Sequence, residues 1–164
     1  MHARKVLERE ALASELAPHR EAGRRIVLMN GVFDLLHIGH VRALVAARAC
    51  GDLLVVACNG DDSVRRLKGP ARPLQPVADR CEILAALASV DYVTWFDEDD
   101  LAATLRALQP HVHAKGGDYR LESIPATERA VAEELGIEHA LVGGEKVRAT
   151  SAIIEQLRST DVEA

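Results

Sequence analysis

At 164 residues, 48 % of them hydrophobic and 27 % charged, the chain fits one domain with a real core and has the make-up of an ordinary soluble globular protein. Aromatics supply only 3 %, so the core must be built from Leu, Val, Ile and Ala, which suits helices on a buried sheet better than a sandwich. A net charge of −5 argues against nucleic acid as a partner, since such binding rests on phosphate neutralisation by Lys and Arg, yet a locally positive cleft for a small anion remains open.

Residues 4 to 22 read as an amphipathic helix, with Leu7 and Ala11, then Leu12 and Leu16, paired four apart among charges. Pro18 is expected to end or kink it, and Gly23 to stop it. Ile26-Val27-Leu28-Met29 is a short, wholly apolar strand. Residues 40 to 49 are helical on Val41, Leu44, Val45 and Arg48, and Gly51-Asp52 turns the chain into a strand over 53 to 58. A loop rich in Gly, Asp, Lys and Pro is expected over 59 to 76, before a helix marked by Val77, Cys81, Leu84 and Ala88.

Tyr92 to Phe96 form the third strand, and Leu101, Leu105 and Leu108 mark the next helix. Residues 111 to 115 make a strand before Gly116-Gly117, a helix near 125 to 135 ends at Gly136, and 137 to 142 make a fifth strand. A last helix is expected over 150 to 157 on Ile153, Ile154 and Leu157. Apolar strands alternating with helices are the pattern of βαβ units and a parallel sheet buried on both faces. The expected fold is therefore α/β: one Rossmann-like, doubly wound domain over residues 1–164 with a five-stranded parallel sheet, residues 1–24 preceding the first strand as a helix.

Cys50, Cys58 and Cys81 have no C-x-x-C spacing, so neither a zinc ribbon nor a redox pair is expected, and Cys58 and Cys81 read as small core side chains. No signal-like apolar run opens the chain, and no stretch nears the roughly 18 apolar residues of a membrane span. A cytoplasmic location without a membrane partner is expected.

In an open parallel sheet, ligands bind beyond the carboxyl ends of the strands, which singles out the loops at 30–40, 59–76, 115–123 and 143–151. The first is Asn30-Gly31-Val32-Phe33-Asp34-Leu35-Leu36-His37-Ile38-Gly39-His40. His37 and His40, three apart at a helix start, project from one face. Gly39 between them lets a ligand oxygen reach the backbone. The helix beginning there offers free N–H groups and the positive end of its dipole. Two imidazoles and a helix N-terminus make a polyphosphate site; a bland alternative is a histidine pair satisfied by neighbouring carbonyls. A metal pair lacks any supporting Cys or acidic ligand. A Rossmann dehydrogenase is excluded, because no G-x-G-x-x-G follows the first strand.

This segment resembles the signature of the cytidylyltransferase-like nucleotidyltransferases, which include glycerol-3-phosphate cytidylyltransferase, phosphopantetheine adenylyltransferase and the heptose-1-phosphate adenylyltransferases. The resemblance covers almost the whole chain. Arg66-Leu67-Lys68-Gly69 with Arg72-Pro73, Arg80, Val90-Asp91, Lys115-Gly116-Gly117-Asp118-Tyr119 and Thr150-Ser151-Ala152-Ile153-Ile154 are most similar to the heptose branch.

It implies transfer of AMP from ATP to D-glycero-β-D-manno-heptose 1-phosphate, giving ADP-heptose and pyrophosphate, a step towards the inner core of lipopolysaccharide. Mg²⁺ would arrive with the ATP phosphates, with no metal ligand from protein side chains. Many relatives carry the domain behind a sugar kinase; only about twenty residues precede the first strand here, so a kinase is expected as a separate chain. A homo-oligomer, a dimer, is expected.

The sugar phosphate is itself the nucleophile at the α-phosphorus, so no protein nucleophile is needed. Catalysis then means holding two anions in line and stabilising charge on the transferring group. His37 and His40 are assigned to the ATP phosphates, His40 nearer the α-phosphate, and Lys68 to a loop that closes over them. Asn30, Gly31, Val32, Phe33 and Gly39 are expected around the nucleotide, with backbone contacts at Gly31 and Phe33. Arg80 is a candidate for the same anionic region, and Arg72 and Asp34 for the acceptor substrate.

Lys115, Gly116, Gly117 and Asp118 would hold adenine or the sugar phosphate, the glycines permitting positive φ; a plain turn is the bland alternative. Thr150 and Ser151 open the last helix as caps, phosphate ligands or both. Ala149 stands where relatives often carry Ser, and residues 143 to 148 lack the Arg-Thr-Glu-Gly pattern of the glycerol-3-phosphate enzymes; Lys146 or Arg148 would supply charge instead. His111, His113 and His139 receive no role. Two other readings stand beside this one: a cytidylyltransferase acting on glycerol 3-phosphate or another polyol phosphate, and a non-catalytic nucleotide sensor.

Overall fold

The computed structural model describes residues 2–116, 120–143 and 154, the side chains of residues 2 and 3 excepted. Five strands form one sheet: β1 (Ile26–Gly31), β2 (Leu53–Asn59), β3 (Tyr92–Phe96), β4 (Val112–Gly116) and β5 (Glu138–Val142). Their order is β3-β2-β1-β4-β5, and every pairing is parallel. The helices are α1 (Arg9–Glu21), α2 (Ile38–Arg48), α3 (Asp61–Lys68), α4 (Val77–Ala85), α5 (Ala102–Leu108) and α6 (Ala126–Leu135).

Because successive side chains of a strand point to opposite faces, wholly apolar strands feed two cores. Val27, Met29, Leu54, Val56 and Cys58 pack with Ala43, Leu44 and Ala47 of α2 and Cys81, Leu84 and Ala85 of α4. Ile26, Leu28, Leu53, Val55 and Ala57 pack with Leu12 and Leu16 of α1, Leu105 and Leu108 of α5, and Val131 and Ala132 of α6. Helices thus cover both faces, and the sheet is doubly wound as expected. After β1 the chain builds outward through β2 and β3, then returns to the other side of β1 for β4 and β5. The reversal of strand order lies between β1 and β4, where an α/β sheet opens a crevice for ligands.

Three expectations need correction. The first helix does not begin at residue 4: His2–Lys5 form a 3-10 turn, Val6 bridges Val93, and Leu7 N–H donates to the Val93 carbonyl at 3.0 Å. This pairing protects the β3 edge, a stronger demand than the weak amphipathic pattern. Pro18 does not end α1, which runs on to Glu21, the ladder resuming where Ala22 N–H donates to the Pro18 carbonyl at 3.0 Å. Gly23, at φ 72°, then stops it.

The expected loop at 59–76 contains α3. Its apolar signal is slight, since Val64 is its one buried apolar residue. Charge supports it instead: Asp61 and Asp62 lie in the first turn, and Arg65, Arg66 and Lys68 in the last, each sign matching the helix dipole. The rest of that segment is a true loop, with a cis Arg72–Pro73 bond.

α2 opens two residues earlier than the pattern suggested, with His37 as its N-cap. Gly136, at φ 66°, ends α6 in the left-handed conformation. The helix expected over 150–157 lies outside the described residues except for Ile154, which is helical. Among the described residues no helix is long and apolar enough to cross a membrane.

Candidate active site

β1 delivers Asn30 and Gly31 to the centre of the sheet's carboxyl edge, and residues 32–37 then lead into α2. Phe33 is the turning point, at φ 49° and 5 % exposed. Its ring explains the residue two before it: a Cβ on Gly31 would meet Phe33 Cε2 at 3.0 Å. The Phe33 and His40 rings meet edge-on with centroids 5.3 Å apart, and His40 stacks on His37 at 3.8 Å. The two histidines therefore lie together at the start of α2, with Gly39 between them as its second residue.

The His37 backbone N–H donates to His40 Nδ1 at 3.4 Å. With Nδ1 accepting, a neutral His40 carries its proton on Nε2, which makes that nitrogen the donor of the ring. The α2 N-terminus adds the positive end of its dipole. This is chemistry suited to phosphate oxygens.

Asp34 and Arg72, expected to meet the acceptor, are instead joined to each other. Asp34 is 2 % exposed and its carboxylate accepts from Arg72 Nε and Nη2, each at 2.6 Å, and from the Leu74 and Gln75 N–H groups at 2.9 and 3.0 Å. Burial alone would raise the Asp34 pKa; the N–H donors of Leu74 and Gln75 and the Arg72 guanidinium overcome it and hold the carboxyl below its ordinary range. Gln75 Nε2 closes the knot on the Asp34 carbonyl at 2.5 Å. The pair fastens the segment at 72–75 to the loop that carries the histidines. A lone Asp in a motif gives no sign of a partner 38 residues away.

Arg80, a candidate for the same anionic region, is likewise engaged within the protein. Its side chain is 0 % exposed, and it donates to the carbonyls of Gln75, Val32 and Asn59 at 2.9, 2.6 and 2.8 Å and to Asp61 at 2.7 Å. Every nitrogen faces protein. Arg80 braces the ends of β1 and β2 and the start of α3. Lys68, expected in a loop, is the exposed last residue of α3, followed by Gly69 at φ 93°. It makes no hydrogen bond or ion pair among the described residues, and no contact joins it to the histidines.

At the end of β4, Lys115 is 5 % exposed; its Nζ donates to Asn30 Oδ1 at 2.8 Å and pairs with Glu128 of α6 at 3.1 Å. Burial lowers the Lys115 pKa, and the Glu128 carboxylate opposes that. His113 Nε2 reaches the same Asn30 oxygen at 3.2 Å. His113 was expected to have no role, although a period of two places it on the same face of β4 as Lys115. Glu128 offered no signal at all, being one acid among several in an exposed-looking helix. Gly116 closes β4, while Gly117, Asp118, Thr150 and Ser151 lie outside the described residues.

Among the described residues no group of three or more His, Cys, Asp or Glu could hold a metal ion. Asp34, the acid nearest the histidine loop in sequence, already has its oxygens engaged by N–H donors.

Comparison with known proteins fits this geometry. The family described as cytidylyltransferase-like matches residues 28–163. The chain is 46 % identical over 158 residues to the bifunctional protein HldE of Geotalea uraniireducens, covering 96 % of this chain and 32 % of that one. It is 48 % identical over 149 residues to the bifunctional protein HldE of Methylococcus capsulatus, covering 90 % and 31 %. The chain thus spans about a third of the length of these curated relatives.

Among solved structures, a lipopolysaccharide core biosynthesis protein from Thermoplasma volcanium superposes with a TM-score of 0.64 at 28 % identity, over 76 % of this chain and 100 % of that one. A pantoate-beta-alanine ligase from Francisella tularensis shares the fold, with a TM-score of 0.60 at 16 % identity over 96 % and 75 %. The matched span begins inside β1 and takes in the histidine loop, the Asp34 knot and the β1–β4 crevice, so the chain belongs to the cytidylyltransferase-like family and is a nucleotidyltransferase.

Proposed function

We propose that the protein transfers AMP from Mg·ATP to D-glycero-β-D-manno-heptose 1-phosphate, releasing pyrophosphate and ADP-heptose. The observation that carries this reading is the stacked His37–His40 pair at the N-terminus of α2, in a chain 46 % identical to HldE over almost its whole length. An acceptor phosphate oxygen attacks the α-phosphorus, the new P–O bond forms as the bond to pyrophosphate breaks, and no protein group is acylated or phosphorylated. His40 donates through Nε2–H to oxygens of the transferring group, and His37 stacks behind it. The α2 N-terminus faces the same charge, which grows in the transition state. Mg²⁺ enters with the triphosphate as part of the substrate. Lys68, on the rim after β2, supplies a mobile positive charge to the leaving phosphates.

The test is pyrophosphate release from ATP and CTP, each with heptose 1-phosphate and glycerol 3-phosphate, at one Mg²⁺ concentration. The expected outcome is turnover with ATP and the heptose phosphate. Preference for CTP with glycerol 3-phosphate would overturn the substrate assignment and leave the reaction class standing.

A further inference from the structure

Four polar side chains converge below the carboxyl ends of β1 and β4, with His139 of β5 beside them, its ring centroid 5.3 Å from that of His113. His113 is fully buried, Glu128 and Lys115 are 3 % and 5 % exposed, and Asn30 is half-buried. Such groups are costly to bury unless partnered, and here the partnering is directional. Lys115 Nζ has only hydrogens to offer, so the Asn30 atom 2.8 Å away must be its carbonyl oxygen.

His113 Nε2 lies 3.2 Å from that same oxygen and must therefore carry the ring proton. Burial, then the Lys115 charge and His139, push the His113 pKa down to about 2, so its tautomer holds across any working pH. With Oδ1 engaged twice, the Asn30 amide cannot flip. Its Nδ2, with no partner among the described residues, is left as a donor edge.

Asn30 stands at the end of β1, beside β4, where the strand order reverses. The geometry points to a positioning network in which His113 and Lys115 hold the Asn30 carboxamide, Glu128 holds Lys115, and Asn30 Nδ2 donates to a phosphate oxygen of a nucleoside triphosphate. The identity of that anion rests on the nucleotidyltransferase reading. His113 and Glu128 touch no ligand; they act through Asn30 and Lys115. Glu128 is itself anchored, because its other oxygen accepts the Leu101 N–H at 3.0 Å.

Burial lowers the Lys115 pKa, and Glu128 also opposes that lowering. The titratable neighbours from the packed elements are Glu128 on α6, His113 on β4 and His139 on β5, with Arg129 of α6 acting on His139, while β1 offers the neutral Asn30. Without Glu128, Lys115 loses its proton at lower pH. A neutral amine can accept as well as donate, so it no longer dictates which end of the Asn30 amide faces inward.

The experiment measures Mg·ATP binding to the full chain by calorimetry, across pH, alongside thermal unfolding. Asn30→Asp keeps an oxygen for Lys115 and His113 but turns the donor edge into an anion; Kd should rise about tenfold or more while Tm stays near wild type. His113→Phe keeps an aromatic ring but removes one of the two donors that hold the amide, and should raise Kd about threefold. Glu128→Gln should move the alkaline loss of binding to lower pH. Wild-type affinity in Asn30→Asp overturns the proposal, as does a Glu128→Gln protein that loses only Tm and keeps its pH profile. Failure of the wild-type chain to bind Mg·ATP overturns it too. The expected variant pattern without pyrophosphate release from any acceptor supports the network and overturns the transferase reading alone.

Discussion

His40 is the residue on which the proposed chemistry turns, because its Nδ1 accepts from the His37 backbone and its Nε2 is then the donor nitrogen. Loss of a single preorganised donor to a developing charge lowers turnover by about a hundredfold or more. His40→Ala is therefore expected to reduce kcat of pyrophosphate release by at least about that factor, with little change in Tm, since the ring is half-buried, against Phe33 and His37. Unchanged turnover would remove His40 from the mechanism.

Lys68 is a different case, an exposed charge at a helix end. Lys68→Ala should cut activity strongly and Lys68→Arg should retain part of it, because a guanidinium keeps the charge with altered geometry. Steady-state assays of both variants decide this, and equal rates for Ala and wild type would refute it.

Between elements, two buried polar devices bind the loops of the catalytic edge. Asp34 fastens the segment after α3 to the loop before α2. Its folded-state pKa lies below the ordinary carboxylate value. Its stabilisation is thus fully present above the unfolded value and is lost as pH falls through the depressed folded one. Asp34→Asn should be less stable than wild type at neutral pH, and the gap should narrow on acidification below the carboxylate range. Denaturant unfolding at several pH values measures this, and a gap independent of pH would contradict it.

Arg80 carries the larger structural load. Arg80→Met would leave three carbonyls and Asp61 without their donor, and removing one member of a buried pair destabilises by about 3 kcal/mol or more. Chemical denaturation of the variant reads the loss directly, and a change below about 1 kcal/mol would show that water replaces the guanidinium.

Over the whole molecule, the strands and their order of type were legible because each strand is an unbroken apolar run, and a run buried on both faces has little other interpretation. Helix α3 was not legible, since its stability comes from end charges and from Val64 alone, with no apolar stripe to read. The histidine loop was visible as a local motif: its glycine, its imidazoles and its helix start are neighbours in sequence. The partners of Arg80, Asp34 and Glu128 were not legible because most of them lie far off in sequence, 5 to 48, 38 to 41 and 13 to 27 residues away, and charge alone does not reveal what a side chain will meet. Arginine in a phosphate-binding fold invites a ligand role, and only burial shows that this one faces inward.

The central position of β1 has a consequence for how the protein responds to heat. It is paired along its length with β2 and flanked by β4, so its amides open only when the sheet itself comes apart. Backbone hydrogen exchange should therefore be slowest in β1 and β2 and faster in β5, which among the described residues has a neighbouring strand on one side. Asn30 and Gly31 share that strand, so the base of the site has no private route to disorder. Warming would then silence the enzyme by shrinking the folded population rather than by loosening the pocket first, and the temperature at which activity disappears should coincide with the calorimetric midpoint.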